Sequence, residues 1–247
     1  MTIHIHRIPH RDNTHRPLGR HVEHDDRSRG YAFTTTRPAA DKTTVWPTSA
    51  PVLDQGKLGA CIGNATAQLI NCAFFDKTRQ RANHGHYLTE RDAREIYSLA
   101  THLDNIKGEY PPTDTGSSGI AAAKAGEKLG YFSKYTHAFG FDHFRAAIQT
   151  QPVIVGTLWT KPMFTPNTDG LVRVGEISDA TIDGGHEYLC RGIDYERRWV
   201  LFRNSCGAGW GCAGPDNTPG SFYISFDDFA ALLGQQGDVT APVGIAA

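Results

Sequence analysis

Pro51-Val-Leu-Asp-Gln55-Gly-Lys-Leu-Gly-Ala-Cys61-Ile-Gly-Asn-Ala65 is the stretch of this 247-residue chain whose reading decides the rest. A glutamine and two glycines lead into a cysteine. From there Ile62, Ala65, Leu69, Cys72 and Ala73 recur at the spacing of one apolar helix face, which predicts a buried helix of about four turns. The thiol of Cys61 thus stands at a helix start, where unpaired backbone N–H groups and the positive end of the helix dipole favour a thiolate. A free thiol, with a pKa of about 8.5, is mostly protonated at neutral pH; this setting, with an imidazolium beside it, lowers the value by several units.

Outward from Cys61 the first half reads as helical. Thr89 followed by Asp92 forms a capping pattern for a second helix with Ala93, Ile96, Tyr97 and Ala100 on its inner face. A third helix is predicted from about Ser118 to Leu129, ending at Gly130, and a fourth from Asp142 to about Thr150, stopped by Pro152. Beyond Pro152 the texture becomes short β-branched and aromatic runs: Val153 to Trp159, Leu171 to Val174, Glu187 to Ile193, Trp199 to Arg203 and Phe222 to Phe226. A last helix, capped by Ser225 with Asp228 three residues on, ends near Gly234. Residues 236–247 read as a C-terminal tail. Residues 1–44 are polar, carry His4, His6, His10, His15, His21 and His24, and show neither helical nor strand period, which is the pattern of a flexible or draped extension. His4 and His6 would share a strand face, but no nearby cysteine or paired carboxylate completes a ligand set, so no metal site is expected.

Composition is that of an ordinary globular protein, 39% apolar and 21% charged, with a net charge of −1. That balance points away from nucleic acid and anionic membranes as partners. No apolar run is long enough for a secretory signal or a membrane span, and the five cysteines contain no Cys-x-x-Cys pair. A reducing, cytoplasmic setting is the expectation. Cys72 and Cys190, inside apolar segments, read as buried structural thiols. Cys206 and Cys212 are close enough in sequence to pair under oxidising conditions.

Two further motifs complete the chemistry. Gly184-Gly185-His186-Glu187-Tyr-Leu supplies an imidazole at a strand start with room for a backbone beside it, and Arg203-Asn204-Ser-Cys206-Gly-Ala-Gly-Trp210-Gly supplies a carboxamide. Taken singly, Gln55 reads as a surface turn residue, His186 as a core histidine and Asn204 as a strand-end turn residue. Their conjunction resembles the papain-like cysteine peptidases, in which histidine and asparagine follow the cysteine by roughly 130 to 150 residues. Positions 61, 186 and 204 fall at that scale, and the resemblance runs from about Val45 to about Leu233, roughly three quarters of the chain.

The resemblance implies an α+β, two-lobe fold: a helical lobe over about 52–150 and an antiparallel, barrel-like β lobe over about 151–235, with the cleft between them. It implies Cys61 as nucleophile, resting as an ion pair with His186, which serves as acid and base. Asn204 would accept the Nδ1 proton of His186, and Gln55 with the Cys61 backbone N–H would hold the oxyanion. Gly116, Ser117, Gly156, Gly185 and Trp210 would line the substrate path, and Gly156 and Glu187 would neighbour the pocket for the second residue before the cut. A lone carboxylate there suits a basic side chain, but Glu187 is expected to face solvent.

The substrate would be a protein or peptide, no metal or organic cofactor is required, and a monomer is expected. The chain departs from the family at Cys206, where a tryptophan usually shields the His–Asn bond, at Ile62, commonly aromatic, and at Leu58, where secreted members carry a disulfide cysteine. The extension is too short and unpatterned to resemble the long helical inhibitory prosegment of many members. Two alternatives stay open: a weakened or inactive binding module, and the same machinery acting on cell-wall or isopeptide amides.

Overall fold

A computed structural model describes residues 2–8, 18–35 and 40–244. His10 and His15 lie outside these residues.

The helical lobe is built from α1 (Cys61–Ile70), α2 (Asp76–Asn83), α3 (Glu90–Thr101) and α4 (Gly119–Lys128). Every residue of α1 is buried, so it is a central helix wrapped on all sides rather than one with a single apolar face. Its polar residues are paired locally: Asn64 Nδ2 donates to Ala60 O at 2.9 Å and Thr66 Oγ1 to Ile62 O at 2.8 Å. The helix is shorter than the apolar spacing predicts. Asn71 ends it, donating to Leu88 O and accepting the Leu88 N–H, both at 2.8 Å, which locks the chain into a turn before α2. α3 carries the expected capping box between Thr89 and Asp92, and its predicted inner face is buried. Ser118 caps α4, and Gly130 follows its end at φ +79°.

The second lobe is an antiparallel sheet in the order β5 (Phe132–His137), β10 (Asp238–Gly244), β6 (Val153–Thr160), β7 (Ile182–Asp194), β8 (Trp199–Arg203), β9 (Ser221–Ser225), with β3 (Thr44–Val45) added to β7. It is an open sheet rather than a closed barrel. α5 (Gly140–Ile148) and α6 (Phe226–Gly234) pack against it around Phe144, Trp159, Tyr188, Phe202, Phe222 and Phe229. Residues 236–247, read as a tail, contain β10, which lies between β5 and β6. Pro242 is tolerated there because β10 pairs with β6 only over Asp238–Thr240, so the proline sits where one neighbour alone is bonded. Leu171–Val174, expected as a strand, makes only an isolated bridge from Leu171 to Tyr223.

The N-terminal residues form a third layer. β1 (Ile3–His6) pairs antiparallel with β2 (Arg20–Asp25), and β2 pairs in parallel with β4 (Ser117–Ser118), the two-residue strand before α4. The described part of the polar extension is thus laid across the junction of the two lobes.

Candidate active site

Cys61 is the first residue of α1, and Ala60 before it offers no side-chain cap, so the helix start keeps its N–H groups for other acceptors. The loop leading to it is fixed from below. Asp114 accepts the Gly59 N–H at 2.8 Å and the Tyr97 hydroxyl at 2.5 Å, while the Tyr97 oxygen accepts the Gly116 N–H at 3.0 Å. One carboxylate and one phenol therefore set the spacing between the cysteine loop and the Gly116-Ser117 turn. Gln55 is held from the opposite lobe: its N–H donates to Ser205 O at 3.0 Å, and its Oε1 accepts the Ser205 hydroxyl at 2.6 Å. That leaves its NH2 group directed at the cysteine loop, donating to Leu58 O at 3.0 Å.

His186 lies on β7 opposite Thr157 of β6. Its Nε2 donates to Asn204 Oδ1 at 2.7 Å, and the same oxygen accepts the Ser205 N–H at 2.8 Å, which identifies it as the carboxamide oxygen. The sequence reading assigned this bond to Nδ1. The strand register instead turns Nε2 toward Asn204 and leaves Nδ1 buried without a hydrogen-bond partner. Asn204 is itself anchored by its N–H to Gly220 O at 2.9 Å and by Gln68 Nε2, which donates to Asn204 O at 3.3 Å. Gln68 belongs to α1, so the cysteine helix and the asparagine loop are tied directly. α1, which begins at Cys61, packs against β7, the strand that carries His186. His186, Asn204, Ser205 and Gln55 are therefore joined in one run of hydrogen bonds, tied to the cysteine helix through Gln68.

Trp159 of β6 stands edge-on to the His186 ring, with centroids 4.8 Å apart, and Trp210 lies 6.4 Å from Trp159 with its ring tilted by 46°. The position taken by Cys206 carries no bulky shield, and Trp159 supplies an aromatic wall from a neighbouring strand. Nothing local in the sequence marked it. Trp210 is anchored by Nε1 donating to Phe164 O at 2.9 Å. All five cysteines are free thiols.

The remaining expected cleft residues face the N-terminal segment. Gly19 N–H donates to Gly185 O at 3.2 Å, and Ser117 N–H donates to Gly19 O at 2.9 Å, so the backbone at Gly19 is bonded to both walls. The Leu18 carbonyl accepts from Gln55 Nε2 at 3.5 Å. Gly19 is at φ +138°, and a Cβ there would lie 2.0 Å from the Gly59 carbonyl oxygen, so only glycine fits. Side-chain atoms at Gly116 or Gly156 would likewise collide with this strap, at Gly19 O and Arg20 Nε respectively. Gly116, Ser117, Gly156 and Gly185 thus all touch the strap; Trp210 belongs to the aromatic wall instead.

Electrostatics follow from this cover. Burial pushes the Cys61 thiol far above its ordinary range and the nearby Glu187 carboxyl adds to the shift, while the backbone hydrogen bonds and Arg20 oppose it. Burial pulls His186 down to about 4, against the hydrogen bond to Asn204. Burial thus disfavours the charged form of both groups. Glu187, expected at the surface, is fully buried.

Among the described residues no group of histidine, cysteine and carboxylate side chains is arranged to hold a metal ion, and no helix is long and apolar enough to cross a membrane. No family model and no curated protein matches the chain. Solved structures do. Xylellain, a cysteine protease from Xylella fastidiosa, is 19% identical with a TM-score of 0.70, the match covering 95% of this chain and 99% of that one. Digestive procathepsin L 3 of the Tenebrio molitor larval midgut is 14% identical with a TM-score of 0.60, covering 92% and 76%. The chain has the papain-like fold.

Proposed function

We propose that this protein is a cysteine peptidase whose own N-terminal segment covers the cleft. The Cys61 sulfur attacks a peptide carbonyl carbon after giving its proton to His186 Nδ1. The tetrahedral oxyanion is held by Gln55 Nε2 and the Cys61 backbone N–H; losing one such donor costs roughly 3 kcal/mol. As the C–N bond breaks, the imidazolium returns the proton to the departing amine. Water then attacks the thioester with His186 as base, releasing the carboxylate and restoring the thiol. Asn204 keeps the ring in the tautomer and orientation that expose Nδ1.

The observation that carries this reading is the bond from His186 Nε2 to a threefold-anchored Asn204, with Nδ1 left without a hydrogen bond and α1 packed against the strand that carries His186. The similarity to two proteases supports it at the level of fold. A second reading, an inactive papain-fold binding module, is favoured by the full burial of the Cys61 thiol and by Cys206.

Casein cleavage separates the two. The Gly19→Val chain, whose strap cannot seat on Gly59, should degrade labelled casein faster than the parent, and Cys61→Ala in that background should abolish the activity. Cleavage that survives Cys61→Ala misassigns the nucleophile. A Gly19→Val chain that neither cuts casein nor is labelled at Cys61 by iodoacetamide faster than a free thiol supports the module. Purified peptidoglycan in place of casein tests the cell-wall variant of the same chemistry.

A further inference from the structure

The loop that delivers Cys61 to its helix start has little restraint of its own. Two of the five residues between Gln55 and Cys61 are glycines, and Gly56 is at φ +62°. Yet both candidate oxyanion donors depend on this loop. Gln55 Nε2 donates to Leu58 O at 3.0 Å, and the Ala60 N–H, one residue before Cys61, donates to the same carbonyl at 2.8 Å. A shift at Leu58 or Gly59 therefore moves the Gln55 amide and the Cys61 N–H relative to each other.

One side chain from outside the loop holds it near its centre. Asp114 Oδ2 accepts the Gly59 N–H at 2.8 Å, and Asp114 Oδ1 accepts the Tyr97 hydroxyl at 2.5 Å. Tyr97 is fully buried on the inner face of α3, and its oxygen accepts the Gly116 N–H at 3.0 Å. The carboxylate thus spends one oxygen on the cysteine loop and the other on a phenol fixed in the helical lobe. Burial and the bond to Asp114 push the Tyr97 hydroxyl above its ordinary range, which keeps it a donor. A Cβ at Gly59 would lie 3.0 Å from Asp114 Oδ1, so the missing side chain lets the loop come this close. No sequence motif marked Asp114, and the proposed reaction assigns it no proton or bond.

We infer that Asp114 is a positioning residue of the site: it holds Gly59 so that the Gln55 amide and the Cys61 N–H converge on one oxyanion, while Tyr97 ties that setting to the Gly116 turn. The effect on catalysis rests on the peptidase reading; the restraint on the loop does not. Oxyanion donors act only when they are aimed before the charge develops, and a misplacement of about 1 Å costs on the order of a hundredfold in rate. Gln55 is already fixed from the opposite lobe by Ser205. The donor left to be set is the Cys61 N–H, and Asp114 is the side chain bonded to the backbone N–H two residues before it.

The test uses the full chain carrying Gly19→Val. In that background Asp114→Ala, and Asp114→Leu as a second variant that keeps the bulk, should lower kcat on a fluorogenic peptide amide on the order of thirtyfold while KM changes less than about threefold. Alkylation of Cys61 by iodoacetamide needs a thiolate and no oxyanion hole, so it should proceed at the rate of the Gly19→Val chain. Tyr97→Phe keeps the Gly59 bond and frees the Gly116 N–H, so it should raise KM more than it lowers kcat. A kcat within about twofold of the Gly19→Val chain for both Asp114 variants overturns the proposal and leaves the peptidase reading standing. So does a fall in kcat matched by an equal fall in alkylation, which is what a merely loosened fold produces. Should the Gly19→Val chain cut no peptide, amide hydrogen exchange over residues 56–61 decides: faster exchange at Gly59 in Asp114→Ala keeps the brace and removes the peptidase reading, and unchanged exchange removes the brace as well.

Discussion

His186 offers one ring nitrogen to Asn204 and keeps the other bare, and that division has a measurable consequence. In the unfolded chain the imidazole takes its proton near pH 6.5; in the covered site burial delays this to about pH 4. Between those values the unfolded state holds a proton that the native state does not, so stability is full above about pH 6.5 and falls as pH drops toward 4. One group across this window contributes about 3 kcal/mol. Urea unfolding at pH 7 and pH 4.5 should show the fall, and His186→Gln should remove about one proton from its slope. Equal slopes in both chains would contradict the neutral, buried ring. His137 is lowered in the same direction by burial, so the variant comparison isolates His186. Spacing and flanking glycines nominate Cys61, His186, Asn204 and Gln55, and hydrogen bonds link the last three through Ser205. Which nitrogen faces Asn204 was not, because strand register sets it, and Trp159 was invisible because it meets His186 only across β6 and β7.

At the scale of elements, capping residues and periodicity located α3, α4 and α6 well, since Thr89, Ser118 and Ser225 act on their own next few residues. α1 was overextended because an apolar face does not report the side-chain turn made by Asn71. β10 was missed because a short strand with a proline carries little pattern, and pairing between β5 and β6 decides its state. The crossing of α1 and α3 depends on Gly63, where a Cβ would lie 2.1 Å from the Ala93 carbonyl oxygen. Gly63→Ala gains helix propensity but must push the helices apart, and overpacking of this kind costs about 1–3 kcal/mol. A drop in urea midpoint at unchanged m-value is the expected outcome; a gain in stability would show that the crossing yields freely.

Across the whole molecule the strap joins both lobes. Gly19 bonds to Ser117 and Gly185, Arg20 to Asp238, and Glu23 accepts from Ser118 Oγ at 2.7 Å and from Asn105 Nδ2 at 2.6 Å. Cys61 and His186 are buried where the strap joins the lobes, and burial favours the protonated thiol. In the parent chain Cys61 should react with iodoacetamide at pH 6 more slowly than a free thiol, and Gly19→Val should raise that rate by about tenfold or more as the thiol regains water and an ionisable partner. An unchanged rate would mean that the strap does not control the thiol. The chain's own residues determined the division into a helical and a strand-rich half, the cysteine at a helix start with a glutamine six residues before it, and the candidate histidine and asparagine far downstream, because those signals are local periodicities, caps and spacings. Only the tertiary structure decided that residues 18–25 of the polar extension lie across the lobe junction, that Arg20 among them is buried and bonded to Asp238, and that burial raises the Cys61 thiol and lowers the His186 imidazole. Each of these is set by which distant backbones pair and by how much water that pairing removes, and neither quantity is written in any short stretch of residues.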